Sequence, residues 1–265
     1  MANVKLFIVF ISFAFISGCS GIHPSYDGEE YDLQGYRALI VTTSHAELDQ
    51  SGRATGVWAS EMTAPYYEFS DNGMEVDLAS IAGGEIPVDP YSLIPGLRSD
   101  YDQRYLSDAA FKAKVKDSIK IDDVDMTAYD AVFIAGGWGA SYDLGYSDVL
   151  GEKISQAYAL DLPIGAVCHG PLGLLKAVDP SGRRLVDGRI ITAVTDKQIK
   201  ELGIEETPMH PETELRNAGA LFESETAWLD IFANHAVVDG SIVTGQNQNA
   251  GAWAAHLVMD LIANP

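Results

Sequence analysis

One cysteine of the chain lies in a pattern that is typical of a catalytic nucleophile. Cys168 stands in the stretch AVCHGP, between the small residues Ala166 and Gly170 and directly after an apolar run. This spacing is that of a nucleophile elbow, a tight strand-to-helix turn that exposes the central side chain. A helix that begins after the cysteine would point its N-terminus at the sulfur and favour the thiolate. We therefore expect a nucleophile at Cys168; the alternative is a buried cysteine that only fills space.

Residues next to this cysteine, and after the preceding strand, could assist the chemistry. His169 could act as a general base through its ring, or stabilise an oxyanion through its backbone N–H. Gly137, in the segment GGWG after the apolar run 131–135, could supply a second N–H. Trp138 and Gly170 complete the expected pocket, because loops that follow parallel strands meet at one edge of the sheet. No histidine pair has convincing metal-ligand spacing, and the nucleotide-binding order G-x-G-x-x-G is absent after the first strand, so we expect neither a metal nor another cofactor.

The second cysteine ends a segment that is typical of a secretory signal. A basic N-terminus precedes the apolar run 6–16, and the residues ISGC that follow resemble a bacterial lipobox. We predict a lipoprotein signal peptide at residues 1–18, acylation of Cys19 and a polar tether at residues 19–35; an ordinary cleaved signal is the alternative. The mature protein would be exported and held on the bacterial membrane by lipid alone, and Ser20 permits outer-membrane placement.

Composition and charge narrow the class of protein. The chain has 265 residues, 47% of them hydrophobic, with 38 acidic and 17 basic side chains and a formal net charge of −21. An acidic surface repels phosphate backbones, so we expect no nucleic-acid partner, and solubility alone explains the charge. Apolar strand-like runs alternate with helix-like segments, which predicts a mostly parallel sheet with helices on both faces.

The predicted elements follow from hydrophobic periodicity and turn residues. We predict strands at 38–43, 74–79, 131–135, 164–167 and 189–194, and helices at 57–72, 107–119, 148–160, 171–178, 212–218 and 250–263. Ser107 is the expected cap of the second helix, and a hairpin over 236–244 is expected to turn at Asp239-Gly240.

Three segments in this order, AGGWG, AVCHGP and VVDGSIVTGQNQ, resemble the ThiJ/PfpI superfamily. With GGEIPVDPYSL after the second strand, they are most similar to its heat-shock glyoxalase III and chaperone branch, over nearly all of the mature chain. The resemblance implies a flavodoxin-like, glutamine amidotransferase-like fold for a domain at residues 36–265, which could form a homodimer. It also implies that Glu61, four residues before Pro65 in the first helix, reaches the cysteine with its carboxyl group.

The activity implied by the resemblance is that of a cofactor-independent cysteine enzyme, a glyoxalase III-like lyase acting on small reactive carbonyls such as methylglyoxal. Cys168 would add to the aldehyde carbon, Glu61 would move a proton between adjacent carbons, and His169 with the Gly137 N–H would stabilise the oxyanion. Two other functions stay open: a stress-related holding chaperone or redox sensor with little turnover, and a cysteine peptidase or amidohydrolase.

Two positions depart from the pattern of that branch. Trp138 stands where relatives usually have a histidine, which removes an imidazole from the expected pocket. Ile199 stands three residues after the aspartate of the TD pair at 195–196, where relatives place the acidic residue that orients the catalytic histidine. Neither that aspartate nor Glu201 is a convincing substitute, so we expect His169 to be weakly oriented.

Overall fold

A computed structural model describes Tyr26 and residues 28–264, so the predicted signal peptide and Cys19 lie outside the described residues. The described chain has the predicted α/β class, with a mostly parallel central sheet and helices on both faces. Its strands are β1 (Arg37–Thr42), β2 (Glu47–Leu48), β3 (Arg53–Ala54), β4 (Glu75–Ser80), β5 (Ile119–Lys120), β6 (Ala131–Ile134), β7 (Ile164–Val167), β8 (Ile190–Ile191), β9 (Leu221–Phe222), β10 (Ala236–Asp239) and β11 (Ile242–Gly245).

The central sheet has the strand order β10-β11-β7-β6-β1-β4-β5. Neighbouring strands are parallel except β10 and β11, which form the predicted hairpin. Strands β6 and β7 are buried along their whole length, because helices cover both faces of a parallel sheet. The predicted strand over 189–194 is shorter than expected: β8 pairs only with β9, in a small sheet separate from the central one.

Eight helices surround the sheet in the described part of the chain. They are α1 (Ala59–Asp71), α2 (Asp100–Tyr105), α3 (Ala109–Lys116), α4 (Ala140–Asp143), α5 (Asp148–Ala159), α6 (Asp196–Leu202), α7 (Pro211–Asn217) and α8 (Gly251–Ala263). Helices α1 and α8 pack together on one face, and α5 lies on the other. Side chains that alternate along β1 divide between the two cores, Ile40 on the α1 face and Leu39 on the α5 face. Within residues 28–264 no helix is both long enough and apolar enough to cross a membrane.

A helix cap and a hairpin turn each lie one residue after their predicted positions. Asp108, not Ser107, caps α3, because its carboxylate accepts a hydrogen bond from the Phe111 N–H at 2.9 Å. The hairpin turns at Gly240 and Ser241, one residue later than predicted, and Gly240 has a φ of +61° that favours glycine. Both shifts leave the elements themselves in place.

The end of the predicted tether packs on the domain. The Tyr31 N–H donates to Asn72 Oδ1 at 2.6 Å, and the Leu33 N–H donates to the Asn72 carbonyl at 2.9 Å. Leu33 is buried against the same core as α1 and α8. These contacts fix residues 31–33 beside the end of α1, whereas the extent of the tether before them stays a prediction.

Candidate active site

The cysteine lies at a sharp turn directly after β7. Cys168 has a φ of +60°, in the left-handed region that non-glycine residues rarely adopt. Two backbone hydrogen bonds hold it there: its N–H donates to the Gly245 carbonyl at 3.0 Å, and its carbonyl accepts from the Val194 N–H at 3.1 Å. Both partners belong to other segments, so tertiary packing imposes the conformation. This is the predicted elbow geometry.

Glycines beside the turn are required by close backbone contacts. A Cβ atom on Gly170 would lie 2.2 Å from the Ile134 carbonyl oxygen, nearer than any real side chain approaches. A Cβ atom on Gly136 would lie 2.5 Å from the His169 nitrogen and 2.6 Å from Glu61 Oε2. The small residues of the two motifs therefore allow the β6 loop, the elbow and α1 to converge.

The structure brings three predicted site residues together. Glu61, in the first turn of α1, hydrogen-bonds through its carboxyl group to the Cys168 thiol, and the backbone N–H of Gly137 also faces the sulfur. Cys168 Sγ lies 3.4 Å from His169 Nδ1. Cys168 is 6% exposed, Glu61 1% and His169 0%, so water has little access to any of them. This arrangement can pass a proton between the sulfur and the carboxylate, with the imidazole in contact with the sulfur.

The thiol and the carboxyl group form a coupled pair that keeps a proton. Burial raises the pKa of Glu61 from its ordinary 4.5 to about 8, against the opposing effect of hydrogen bonds from Cys168 and from the backbone of Gly136 and Gly137. Burial and the nearby Glu61 charge raise the pKa of Cys168 well above its ordinary value. The raised pKa values of both groups run against the expectation that the elbow favours a free thiolate.

The segment after Cys168 differs from the helix that was expected to favour the thiolate. The predicted helix over 171–178 is absent, and only a 3₁₀ turn, Gly170–Leu174, follows the elbow. Two glycines and a proline in GPLGL disfavour a continuous α-helix. A single turn has little of the macrodipole that a longer helix would direct at the sulfur.

The imidazole of His169 is neutral and lacks an acidic partner. Burial, and secondarily the nearby His210, lower the pKa of His169 to about 3. Its Nε2 is buried with no hydrogen-bond partner among the described residues. Ile199, at the position expected to be acidic, is fully buried in the apolar core, as the sequence indicated.

Asp196 and Glu201, the possible substitutes for an acidic partner of His169, form their hydrogen bonds with other residues. Asp196 Oδ2 accepts a hydrogen bond from Thr213 Oγ1 at 2.7 Å. Glu201 Oε2 accepts from the Asp230 N–H at 2.8 Å. The His169 ring is held by packing and by its contact with Cys168 rather than by a carboxylate.

A narrow cavity opens on the sulfur, with about 20 Å³ available to the centre of a water molecule. Gly137 and Trp138 line it as predicted, together with Glu61, Cys168 and His169. Gly170 stays behind the elbow, packed on β6. Sequence reasoning missed the rest of the lining: Trp58, Val194, Gln198, Leu202, Ile231 and Gln248. Gln248 lies in the quoted segment VVDGSIVTGQNQ and could have been found there, whereas nothing in the sequence marks the others.

One buried aspartate fixes the cavity wall that carries Gln198 and Ile231. Asp230 is 1% exposed and accepts hydrogen bonds from Lys197 Nζ at 2.7 Å and Thr195 Oγ1 at 2.8 Å. Burial alone would raise its pKa, but these donors, Lys197 above all, lower it. The charged carboxylate thereby joins α6 to the segment that contains Ile231.

Metal ligation is not supported at this site. In the part of the chain that the structure describes, no three His, Cys, Asp or Glu side chains are grouped closely enough to hold a metal ion.

Comparison with known proteins identifies the family. A model of the DJ-1/PfpI family matches residues 53–260. The chain belongs to the DJ-1/PfpI family. Among curated relatives, the glutathione-independent glyoxalase hsp3101 of Schizosaccharomyces pombe is 30% identical over 225 residues, which cover 81% of this chain and 90% of the relative. Glyoxalase 3 of Candida albicans is 28% identical, covering 84% of this chain and 97% of the relative.

Solved structures of this family agree with the fold. The Rapid Encystment Protein 24 KDa of Francisella tularensis is 32% identical with a TM-score of 0.80, covering 86% of this chain and 99% of that protein. Glyoxalase III of Candida albicans is 29% identical with a TM-score of 0.78, covering 85% of this chain and 97% of that protein. The predicted superfamily and its glyoxalase III branch are therefore confirmed.

Proposed function

We propose that this member of the DJ-1/PfpI family is a cofactor-independent glyoxalase that converts methylglyoxal to lactate without glutathione. One observation carries the proposal: the Cys168 thiol, at a left-handed turn, hydrogen-bonds to the buried carboxyl group of Glu61. The conversion oxidises the aldehyde carbon and reduces the ketone carbon of one molecule, so it needs proton transfer but no external oxidant. Two coupled acids in one dry site can release and recover a proton during such a reaction. The names of the similar yeast proteins agree with this activity.

In the first half of the reaction a covalent adduct forms. Cys168 Sγ bonds to the aldehyde carbon, the carbonyl electron pair moves to oxygen, and the Glu61 carboxylate takes the thiol proton. The backbone N–H groups of Gly137 and His169, which face the sulfur, lie where they can donate to the developing oxyanion. Glu61 then returns the proton to that oxygen, which gives a hemithioacetal.

In the second half Glu61 moves a proton between the two carbons. Its carboxylate removes the proton from the aldehyde-derived carbon, the electron pair forms an enediolate, and Glu61 returns the proton to the neighbouring carbon. The hydroxyl proton passes to the second oxygen, which leaves a lactoyl thioester on Cys168. Water then attacks the acyl carbon, the C–S bond breaks, the thiol regains a proton and lactate leaves.

The neutral ring of His169 suits a hydrogen-bonding role better than that of a charged acid. With a pKa of about 3 it stays uncharged at physiological pH, and Nδ1 lies within contact of the reacting sulfur. Its Nδ1 can hydrogen-bond to the sulfur and so orient the thiol toward Glu61. The His169–Cys168 pair is therefore not a charged imidazolium–thiolate pair.

Lactate formation tests the proposed activity. The purified protein is incubated with methylglyoxal without glutathione, and D-lactate is measured with a stereospecific dehydrogenase. We expect Cys168→Ala to lower kcat/KM by at least about a hundredfold, since it removes the nucleophile. Cys19→Ala is the matched control, because it changes the other cysteine of the chain and should leave turnover intact. Lactate production at an undiminished rate in Cys168→Ala would overturn the proposal.

We also propose that the protein is exported and acylated at Cys19, and that its domain forms a homodimer. The lipobox-like ISGC segment supports the first, and the family resemblance supports the second. Expression in a bacterial host with labelled palmitate tests acylation: label and membrane association should disappear in Cys19→Ala. Light scattering on the soluble domain gives the oligomeric state, and a monomeric mass would contradict the homodimer.

A further inference from the structure

An arginine lies beside the cavity in an unusual setting. Arg53, on β3, places its guanidinium over the ring of Trp138 at 4.8 Å and near the ring of Tyr91 at 5.4 Å. Trp138 in turn lines the cavity that opens on Cys168. A guanidinium that lies over an aromatic ring can still use its outward N–H groups to bind a carboxylate or phosphate.

Arg53 has no acidic partner bound to it among the residues that the structure describes. Its Nε is buried without a hydrogen bond, and in the described chain its side chain forms no salt bridge. Asp89 lies within electrostatic range, but its carboxylate accepts hydrogen bonds from Thr55 Oγ1 and the Tyr91 N–H instead. Five of the other seven arginines pair with carboxylates: Arg37, Arg104, Arg183, Arg189 and Arg216. In the described chain Arg98 and Arg184 form no salt bridge either, but neither is stacked on an aromatic ring of the cavity.

The chain path connects this arginine to the site. Gly56 follows β3, and its carbonyl accepts a hydrogen bond from the Gly139 N–H at 3.2 Å, which ties the strand end to the GGWG loop. Trp58, two residues further, lines the cavity beside Trp138. On a surface with a formal charge of −21, an unpaired cation at this position is the feature that would attract an anionic substrate.

We propose that Arg53 is a specificity-determining residue that binds the anionic tail of a 2-oxoaldehyde whose aldehyde carbon reacts at Cys168. The inference rests on the proposed function and names its substrate class: 2-oxoaldehydes that bear a carboxylate or phosphate, in preference to neutral ones. For 4,5-dioxopentanoate the same internal oxidation and reduction, with addition of water, yields 2-hydroxyglutarate. Its carboxylate would bind the guanidinium through charge-assisted hydrogen bonds.

Kinetics with a charged and a neutral substrate test the proposal. We measure kcat/KM for 4,5-dioxopentanoate and for methylglyoxal, and compare their ratio between the wild type and Arg53→Met. Loss of a charge-assisted contact should lower this ratio about tenfold, and Arg53→Lys should restore part of it. The exposed Arg184→Met is the matched control and should leave the ratio unchanged. A ratio unchanged in Arg53→Met, or equal losses for both substrates, would overturn the proposal.

A binding measurement separates this inference from the glyoxalase activity. Calorimetry on Cys168→Ala gives the Kd of 4-oxopentanoate, which has the carboxylate tail but no aldehyde, and of neutral 2-pentanone. We expect Arg53→Met, added to Cys168→Ala, to weaken 4-oxopentanoate about tenfold and to change 2-pentanone little. That result supports the anion site even if neither aldehyde is turned over. Equal affinity for the two ligands would overturn the anion site even if methylglyoxal is turned over.

Discussion

Replacing Glu61 by glutamine should make the protein more stable at neutral and alkaline pH while it destroys the proposed activity. Glu61 is 1% exposed, and its Oε2 has no hydrogen-bond partner among the described residues. Charging this carboxyl group in the folded protein is therefore costly, as its raised pKa of about 8 indicates. Glutamine keeps the shape of the side chain and cannot ionise.

The sign and size of the effect follow from proton linkage. Because the folded-state pKa is raised, the stability associated with Glu61 is complete below its unfolded pKa of 4.5 and is lost as pH rises through about 8. The two pKa values give a cost of less than about 1 kcal/mol at pH 5 and of about 4 kcal/mol at pH 8. Glu61→Gln escapes this cost, so its advantage over the wild type should grow by about 3 kcal/mol between these pH values.

Urea unfolding of the wild type and of Glu61→Gln at pH 5 and pH 8 measures this difference directly. Glu152→Gln, at an exposed position of α5, is the matched control and should alter the free energy of unfolding by less than about 0.5 kcal/mol at both pH values. The same preparations should show a loss of lactate formation in Glu61→Gln alone. A free-energy difference that stays constant with pH, or a Glu61→Gln protein that is the less stable at pH 8, would refute the reasoning.

Three further predictions follow from the site. The kcat/KM for methylglyoxal should rise about tenfold per pH unit below pH 8 and then level off, because the active pair has lost one proton. An inflection between pH 5 and 7 would contradict both the raised pKa of Glu61 and the lowered pKa of His169, which is about 3. Trp138→Ala should widen the cavity and so raise the kcat/KM for the bulkier phenylglyoxal, relative to methylglyoxal, about tenfold. An unchanged ratio would contradict the idea that this ring limits the size of the substrate. Asp230→Asn should lower the free energy of unfolding by about 2 kcal/mol, because the buried carboxylate that accepts hydrogen bonds from several donors becomes a neutral amide. A change below about 0.5 kcal/mol in urea titrations would show that this carboxylate does not secure the wall.

The sequence was most informative where local chemistry decides structure. Small residues around Cys168 predicted the elbow, because a turn that packs against the Ile134 carbonyl leaves no room for a Cβ atom at Gly170. The strands β6 and β7 were predicted to within one residue from apolar runs alone. Local pattern also predicted the edge of the sheet where the site lies, since both motifs follow parallel strands.

The other features of the site depend on tertiary packing, which the local sequence does not show. Glu61 has nothing in its local sequence that distinguishes it from a solvent-exposed helical glutamate, and only the family resemblance indicated it. Its burial arises because α1 is enclosed by the sheet, by α8 and by the GGWG loop at once. Gln198 and Ile231 reach the cavity from segments joined through Asp230, a contact between residues far apart in sequence. For the same reason the sequence could not predict that burial would outweigh any effect of a helix end on the Cys168 pKa.

The burial of Cys168 and its contact with Glu61 favour the proposed enzyme over a redox sensor. Peroxide reacts with thiolate, so a sensor needs a cysteine that is ionised and accessible at neutral pH. Cys168 is 6% exposed, and burial and Glu61 keep its pKa well above the ordinary value. A carbonyl substrate does not require a cysteine that is ionised beforehand. Once the substrate is in the cavity, the sulfur can bond to its carbonyl carbon while the thiol proton moves to Glu61. The carboxyl group that raises the pKa of Cys168 is thus the group that takes the thiol proton in the proposed glyoxalase reaction.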